Sequence, residues 1–266
     1  MNRIRSDDAA LAYTVLGDGP PVVLLHPFPV NHEFWLPAAQ ALSSRYRLII
    51  PDVRGHGDSD AGNGPATMAK HAADIARICD EEDVGRAVFA GVSIGGYILF
   101  EFWRRYRGRV AALILADTRA QAETSESRAN RLKSAADVIE RGTEPFIEIM
   151  IPRLLGQTTV ENRPDLVANV RRMILKMSPQ DISLVQQGMA DRPDSVPTLK
   201  TVNVPTLVLV GSEDVVSPMA DAELIRQNTP GAQLKVLDRG GHYAVFEQPN
   251  SAGNLLRQFT DAVHGG

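Results

Sequence analysis

Cysteine is almost absent. Cys79 is the only one in 266 residues, so no disulfide can form within the chain and a cysteine-built zinc cluster is excluded. Long apolar runs are missing as well, with no uninterrupted stretch near the ~20 residues that span a bilayer. Met1 to Tyr13 carries Arg3, Arg5, Asp7 and Asp8 where a secretory signal needs continuous apolar residues. Positive charge is not in excess: 28 Lys+Arg against 32 Asp+Glu gives 28 − 32 = −4, which argues against electrostatic capture of nucleic acid. There is no G-x-G-x-x-G or P-loop pattern, so no nucleotide cofactor is implied. None of the six histidines is paired at i,i+4 spacing, so no metal site is expected. Repeats and low-complexity segments are also lacking. These absences leave a cytoplasmic globular protein that works without cofactor or metal and without a nucleic-acid or membrane partner. A homo-oligomer is compatible with all of them.

Short apolar runs alternate with amphipathic stretches in the first half. Val22-Val23-Leu24-Leu25, Leu48-Ile49-Ile50, Ala87-Val88-Phe89-Ala90 and Ala111 to Ala116 lack polar alternation and stop at His26-Pro27, Pro51-Asp52, Gly91 and Asp117. That is the pattern of strands buried on both faces of a parallel sheet. Glu33 to Ser44, Met68 to Asp83 and Gly95 to Tyr106 read as the helices between them. In the second, Ala72, Ile75, Ala76 and Cys79 form one stripe. The expected fold is therefore α/β, built of βαβ units. From Gln121 to about Asp191 no strand is legible, and apolar residues recur at helical spacing. Strand character returns at Pro205 to Val210 and Gln233 to Leu237, followed by a closing helix over about Glu247 to Val263. The expected organisation is a core of residues 1–120 and 192–266 with a helical segment, 121–191, inserted in it.

Gly91-Val92-Ser93-Ile94-Gly95 follows a strand and opens a helix, which is the setting of a nucleophile elbow, G-x-S-x-G. A serine there sits on a tight turn that projects its hydroxyl into open space, and the glycines remove Cβ atoms that would collide. Serine needs a base to react at neutral pH. Nucleophiles of this kind take their acid and then their histidine from later in the chain. Asp214 follows the strand ending at Val210, and His242 follows Gly240-Gly241 after Leu237, so Ser93, Asp214 and His242 occur in the required order. Glu213 and Asp117 are rival acids. The oxyanion that forms during acyl transfer needs backbone N–H donors. Ile94 supplies one directly after the serine. In His26-Pro27-Phe28-Pro29 the prolines have no N–H, which leaves Phe28 as the second.

Taken together, His26 to Pro29 with Trp35, the run Pro51 to Ser59 (PDVRGHGDS), Gly91 to Gly96, Gly211 to Asp214 with Pro218, and Gly240 to His242 resemble the α/β-hydrolase superfamily over nearly the whole chain. The resemblance implies the α/β-hydrolase fold, with a mostly parallel central sheet flanked by helices, and a helical cap over the active site. Small bacterial serine esterases, 3-oxoadipate enol-lactonases and cofactor-free haloperoxidases (perhydrolases) are the most similar branches. The resemblance thus implies hydrolysis of a small-molecule carboxylic ester or lactone through an acyl-enzyme on Ser93. Enol-lactonase, perhydrolase, carbon–carbon hydrolase and non-catalytic ligand-binding readings are the alternatives. A serine nucleophile argues against the branches that build an alkyl ester on aspartate. One departure is Pro27, where relatives usually carry glycine. Pro29, His32, Phe146, Met150, Leu154 and Tyr243 are expected to line the substrate pocket. His56 is expected to be structural, His71 and His264 to lie on the surface, Cys79 to fill the core, and Arg128, Arg131 and Lys133 to form a solvated helix face.

Overall fold

The computed structural model describes residues 1–265. Its centre is one eight-stranded sheet in the order β1-β2-β4-β3-β5-β6-β7-β8. The strands are β1 (Asn2–Ser6), β2 (Ala9–Leu16), β3 (Pro21–Leu25), β4 (Arg47–Pro51), β5 (Ala87–Val92), β6 (Val110–Ala116), β7 (Thr206–Gly211) and β8 (Gln233–Leu237). β1 pairs antiparallel with β2, and β2 antiparallel with β4; every other pairing is parallel. β5 and β7 are buried at every position, which accounts for their unbroken apolar runs. β1 and β2 are an addition to the sequence reading. Ile4 and Ser6 of β1 point inward between the exposed Arg3 and Arg5, an edge-strand alternation only five residues long.

The helices are α1 (Leu36–Ala39), α2 (Met68–Glu81), α3 (Ile94–Tyr106), α4 (Ser125–Arg141), α5 (Thr143–Leu154), α6 (Gln157–Asn162), α7 (Pro164–Ile174), α8 (Pro179–Ala190), α9 (Val196–Leu199), α10 (Met219–Asn228), α11 (Ala244–Glu247) and α12 (Pro249–His264). Their starts are written locally. Thr67, Thr124 and Ser178 accept a hydrogen bond from the backbone N–H three residues on and so cap α2, α4 and α8. The helix expected over Glu33 to Ser44 is broken into a 3-10 turn (His32–Phe34) and the single turn α1. Pro37 divides them, because proline fits the first turn of a helix and disfavours helix before it.

Helices α4 to α8 lie between β6 and β7. Their apolar residues mostly pack on one another and on the sheet, with Ile147, Ile151, Leu155, Met173, Ile174 and Met177 buried. Among the described residues no helix is long and apolar enough to cross a membrane, and no group of His, Cys, Asp or Glu is arranged to hold a metal ion.

His71 is not on the surface; it is fully buried on α2. The helical stripe explains this, since 71, 75 and 79 share a face with Met68, Ala72 and Ile78. Neither ring nitrogen has a hydrogen-bond partner. His264 is exposed, as expected, and lies beside the Tyr46 ring. Cys79 is buried on the same helix as His71, and burial pushes its thiol up to about 12.

Two further histidines are enclosed. The rings of His26 and His56 meet edge-on at 5.0 Å. His26 Nε2 accepts the Val53 N–H at 3.0 Å, which fixes a neutral ring. Burial lowers His26 to about 3, His56 to about 4, and His71 well below its ordinary value. The unfolded chain then holds protons that the folded one does not. Stability from these rings is complete above pH 6.5 and drains away as pH falls toward 4 and then 3. Buried Asp117 and Glu247, whose carboxyls burial raises, act in the opposite sense. A difference measurement separates the two. The Tm of His71→Leu should gain on wild type as pH is lowered from 6.5 into the range above 4 in differential scanning fluorimetry. A constant gap across that range would contradict a neutral buried ring at position 71.

Candidate active site

Every parallel strand from β3 onward, β4 included, ends on the same edge of the sheet, where open α/β sheets collect their ligands. Phe28 follows β3, Ser93 follows β5, Asp117 follows β6, Asp214 follows β7 and His242 follows β8.

Ser93 sits at φ 54° and ψ −113°, a conformation that costs a residue with a side chain about 1–3 kcal/mol. The surroundings enforce it. A Cβ on Gly91 would lie 2.4 Å from the Gly95 carbonyl carbon, and one on Gly95 would lie 2.6 Å from the Leu25 carbonyl oxygen. No side chain fits at either position while β5, α3 and β3 are packed this closely. The turn is tied down by Ser93 N–H donating to Ala116 O at 3.0 Å and by Thr118 Oγ1 donating to Ser93 O at 2.7 Å.

His242 Nδ1 lies 2.9 Å from Asp214 Oδ2, and both side chains are buried. The other Asp214 oxygen accepts the N–H groups of Val216 at 2.7 Å and Ser217 at 2.9 Å. Burial alone would raise this carboxyl. The adjoining imidazole and the two N–H groups outweigh burial and hold it below the usual range. The rival acids are used elsewhere. Glu213 accepts from Thr158 N and Oγ1 at the start of α6. Asp117 accepts the Gly211 N–H at 2.8 Å, its other oxygen is unpartnered, and burial together with nearby Asp214 pushes its carboxyl far up.

Ser93, His242 and Phe28 line one cavity of about 560 Å³. The ring of His242 makes no hydrogen bond to Ser93 here, and such contacts often tighten only with substrate in place. Among the described residues the N–H groups of Phe28 and Ile94 have no backbone or side-chain acceptor. At Pro27 the chain turns sharply: the Pro27 carbonyl meets His26 Nδ1 at 2.9 Å and accepts the Val30 N–H at 3.3 Å. His56 packs its ring edge-on against Phe28 at 5.7 Å while its Nδ1 lies 3.0 Å from Arg54 O.

Of the pocket residues expected from sequence, Phe146, Met150 and Leu154 line this cavity. Pro29, His32 and Tyr243 do not. Pro29 is enclosed in the loop after β3. His32 is held at 2.8 Å by the buried carboxylate of Asp52. Tyr243 is fully enclosed and donates its hydroxyl to Phe28 O at 2.8 Å. Arg131 is another correction. It turns inward to Glu123 and Gln186 and lines the cavity, while Arg128 and Lys133 are exposed.

Glu247 went unnoticed in the sequence. Its carboxylate accepts the Gly241 N–H at 2.8 Å and the Gly156 N–H at 2.9 Å, so one group joins the loop carrying His242 to the start of α6. The available signal was an acidic residue among the apolar residues Ala244 to Phe246, five positions after the histidine.

Residues 20–249 match the family of the alpha/beta hydrolase fold. The chain belongs to the α/β-hydrolase family. A thermophilic esterase from Thermogutta terrifontis, solved with malate bound, is similar over 99% of this α/β hydrolase and 100% of its own chain, with 37% identity and a TM-score of 0.96. The 3-oxoadipate enol-lactonase 2 of Acinetobacter baylyi is 24% identical over 93% of the chain and 92% of its own length. An enol-lactonase from Burkholderia xenovorans shares the fold, with a TM-score of 0.91 at 24% identity over 97% of this chain and 99% of that one. The relatives thus include esterases and enol-lactonases.

Tyr243→Phe leaves the buried Phe28 carbonyl without its donor. The expected loss is about 1–3 kcal/mol, or roughly 2–4 °C in Tm per kcal/mol. Because the same peptide chain positions the Phe28 N–H, kcat should fall while KM for a small ester stays near wild type. Calorimetry and steady-state kinetics on the purified variant check both, and an unchanged Tm would contradict the bond.

Proposed function

We propose that the protein is a serine hydrolase that cleaves a small-molecule carboxylic ester or lactone through an acyl-enzyme on Ser93. The observation that carries this reading is the Asp214–His242 pair at 2.9 Å, whose imidazole lines the same cavity as a serine held at positive φ. The esterases and enol-lactonases among the relatives support it at the level of reaction class.

In this reading His242 takes the Ser93 proton as the hydroxyl attacks the substrate carbonyl. Asp214 holds the ring by its Nδ1–H and stabilises the imidazolium that forms. The free N–H groups of Phe28 and Ile94 bind the oxyanion, each worth about 3 kcal/mol of barrier in sites of this kind. The imidazolium returns its proton to the departing alcohol, or to the ring oxygen of a lactone. Water activated by the same histidine then releases the acid and restores Ser93. Residues 121–191 act as a cap, with Phe146, Met150 and Leu154 packing the apolar part of the substrate.

A fluorophosphonate probe should label Ser93 alone, and Ser93→Ala should abolish turnover of p-nitrophenyl acetate and butyrate. Turnover persisting at the wild-type rate in that variant would overturn the reading. Asp214→Asn, which leaves the ring without its anionic partner, should lower kcat by about 10⁴-fold with little change in labelling stoichiometry at long times.

A further inference from the structure

The charge of the cavity wall runs against that of the chain. The chain carries −4 with His neutral, yet on the same count the charged residues lining the cavity are Arg131, Lys133, Arg141 and Arg153 against Glu126 and Asp137, so 4 − 2 = +2. Lys133, Arg141, Arg153 and Glu126 are exposed at the rim, whereas Arg131 and Asp137 are partly buried.

Behind Arg131 the excess continues. Its Nε and Nη2 donate to Glu123 Oε1 at 2.9 and 2.7 Å. Arg192 donates to the same Glu123 oxygen and lies over the Tyr97 ring, 4.3 Å from its centroid. Two guanidiniums therefore share one carboxylate, where Glu123 and Arg192 are only 2% and 3% exposed. Burial would raise Glu123, but the two arginines and the Ser127 hydroxyl bring it down to about 2, so the carboxylate is ionised and one positive charge is left over. Arg192 Nε is buried with no hydrogen-bond partner among the described residues.

The hydrogen-bond inventory points the same way. Arg131 has five N–H groups. Two go to Glu123 and one to Gln186 Oε1 at 2.9 Å, which leaves two, with the Met189 sulfur 3.8 Å away as a weak acceptor. Gln186 Nε2 in turn donates to Ser134 Oγ at 3.1 Å, so the Ser134 hydroxyl keeps its own proton to give. Arg131, Ser134 and Gln186 all line the cavity. The wall made by α4 and α8 thus presents spare donors and spare positive charge, and α5 presents Phe146, Met150 and Leu154.

We infer that the α4–α8 wall is a carboxylate-binding subsite, with Arg131 as the residue that selects an ester or lactone bearing a second, anionic carboxyl group. A carboxylate only accepts hydrogen bonds and is the complement of unspent N–H and O–H donors in a positive wall. Charge at this wall also raises the local concentration of an anionic substrate. The inference rests on the hydrolase reading above and adds the substrate class.

The test compares the ethyl hemiesters of succinic, glutaric and adipic acid with their diethyl esters, followed by pH-stat. The best hemiester should exceed its diester in kcat/KM by about tenfold, equivalent to about 1.4 kcal/mol. Arg131→Gln should bring that ratio to about one, chiefly by raising KM for the hemiester. Arg131→Lys should retain part of the preference, and Arg128→Gln, on the exposed face of α4, should leave it intact. Added salt should narrow the wild-type ratio. If Arg131→Gln fails to fold, Ser134→Ala and the salt series carry the test. A diester preferred at every chain length, or a ratio untouched by both Arg131→Gln and Ser134→Ala, would overturn the subsite while fluorophosphonate labelling of Ser93 leaves the hydrolase reading standing. Calorimetric titration of Ser93→Ala with glutarate against glutaramide reads the subsite without turnover. Preference for glutarate supports the subsite, and equal binding of the two overturns it.

Discussion

The close approach of β3, β5 and the first turn of α3 is the constraint on which the site depends. Gly91 and Gly95 let backbone meet backbone at distances no Cβ would tolerate, and the chain between them has no room for an ordinary helix entry. The positive φ of Ser93 follows from this crowding. With the turn fixed, Ile94 opens the helix with an N–H that has no acceptor among the described residues, and the serine is carried to the cavity wall.

The loops that complete the site are secured by buried polar bonds. Tyr243, next to His242 in the chain, reaches back to the Phe28 carbonyl, so the loop after β8 supports the loop after β3. Glu247 binds the N–H groups of Gly241 and Gly156, and Glu213 binds Thr158. The start of α6 is thereby anchored to the same stretch of chain that holds the imidazole. On the other side, Glu33, just after the Phe28 loop, pairs with Arg172 and Lys176 of the helical segment. That contact is solvent-exposed and screened, whereas the Glu247 contacts are enclosed, so the two contacts hold the segment unequally.

What the sequence made legible was whatever has a short-range signature. The doubly buried strands β3 to β7, the serine turn, and the order of Ser93, Asp214 and His242 are readable because steric and chemical demands confine them to a few adjacent residues. The choice of Asp214 over Glu213 is different in kind, since both lie on one loop and only the path of that loop decides which carboxyl meets the ring. The strands β1 and β2 escaped for different reasons: β1 is a five-residue edge strand with two arginines, and β2 takes three of its eight residues from alanine, which is depleted in strands. Pro29, His32 and Tyr243 were expected at the pocket because they neighbour the reacting groups in the chain, yet nearness in sequence does not determine which side of a loop faces inward. Arg131 shows the converse: on a polar helix an arginine reads as solvated until a buried Glu123, eight residues earlier, and Gln186, on another helix, turn it inward. His71 was readable after all, since its spacing from Ile75 and Cys79 places it on the buried stripe.

The enclosure of Cys79 has a practical corollary. Its thiol is the chain's only one, and burial keeps it protonated far above neutrality, so it offers no thiolate to alkylating or oxidising agents. Electrophiles that inactivate the folded protein therefore report on nucleophiles other than a thiol, and the folded protein stored without reductant forms no disulfide between molecules.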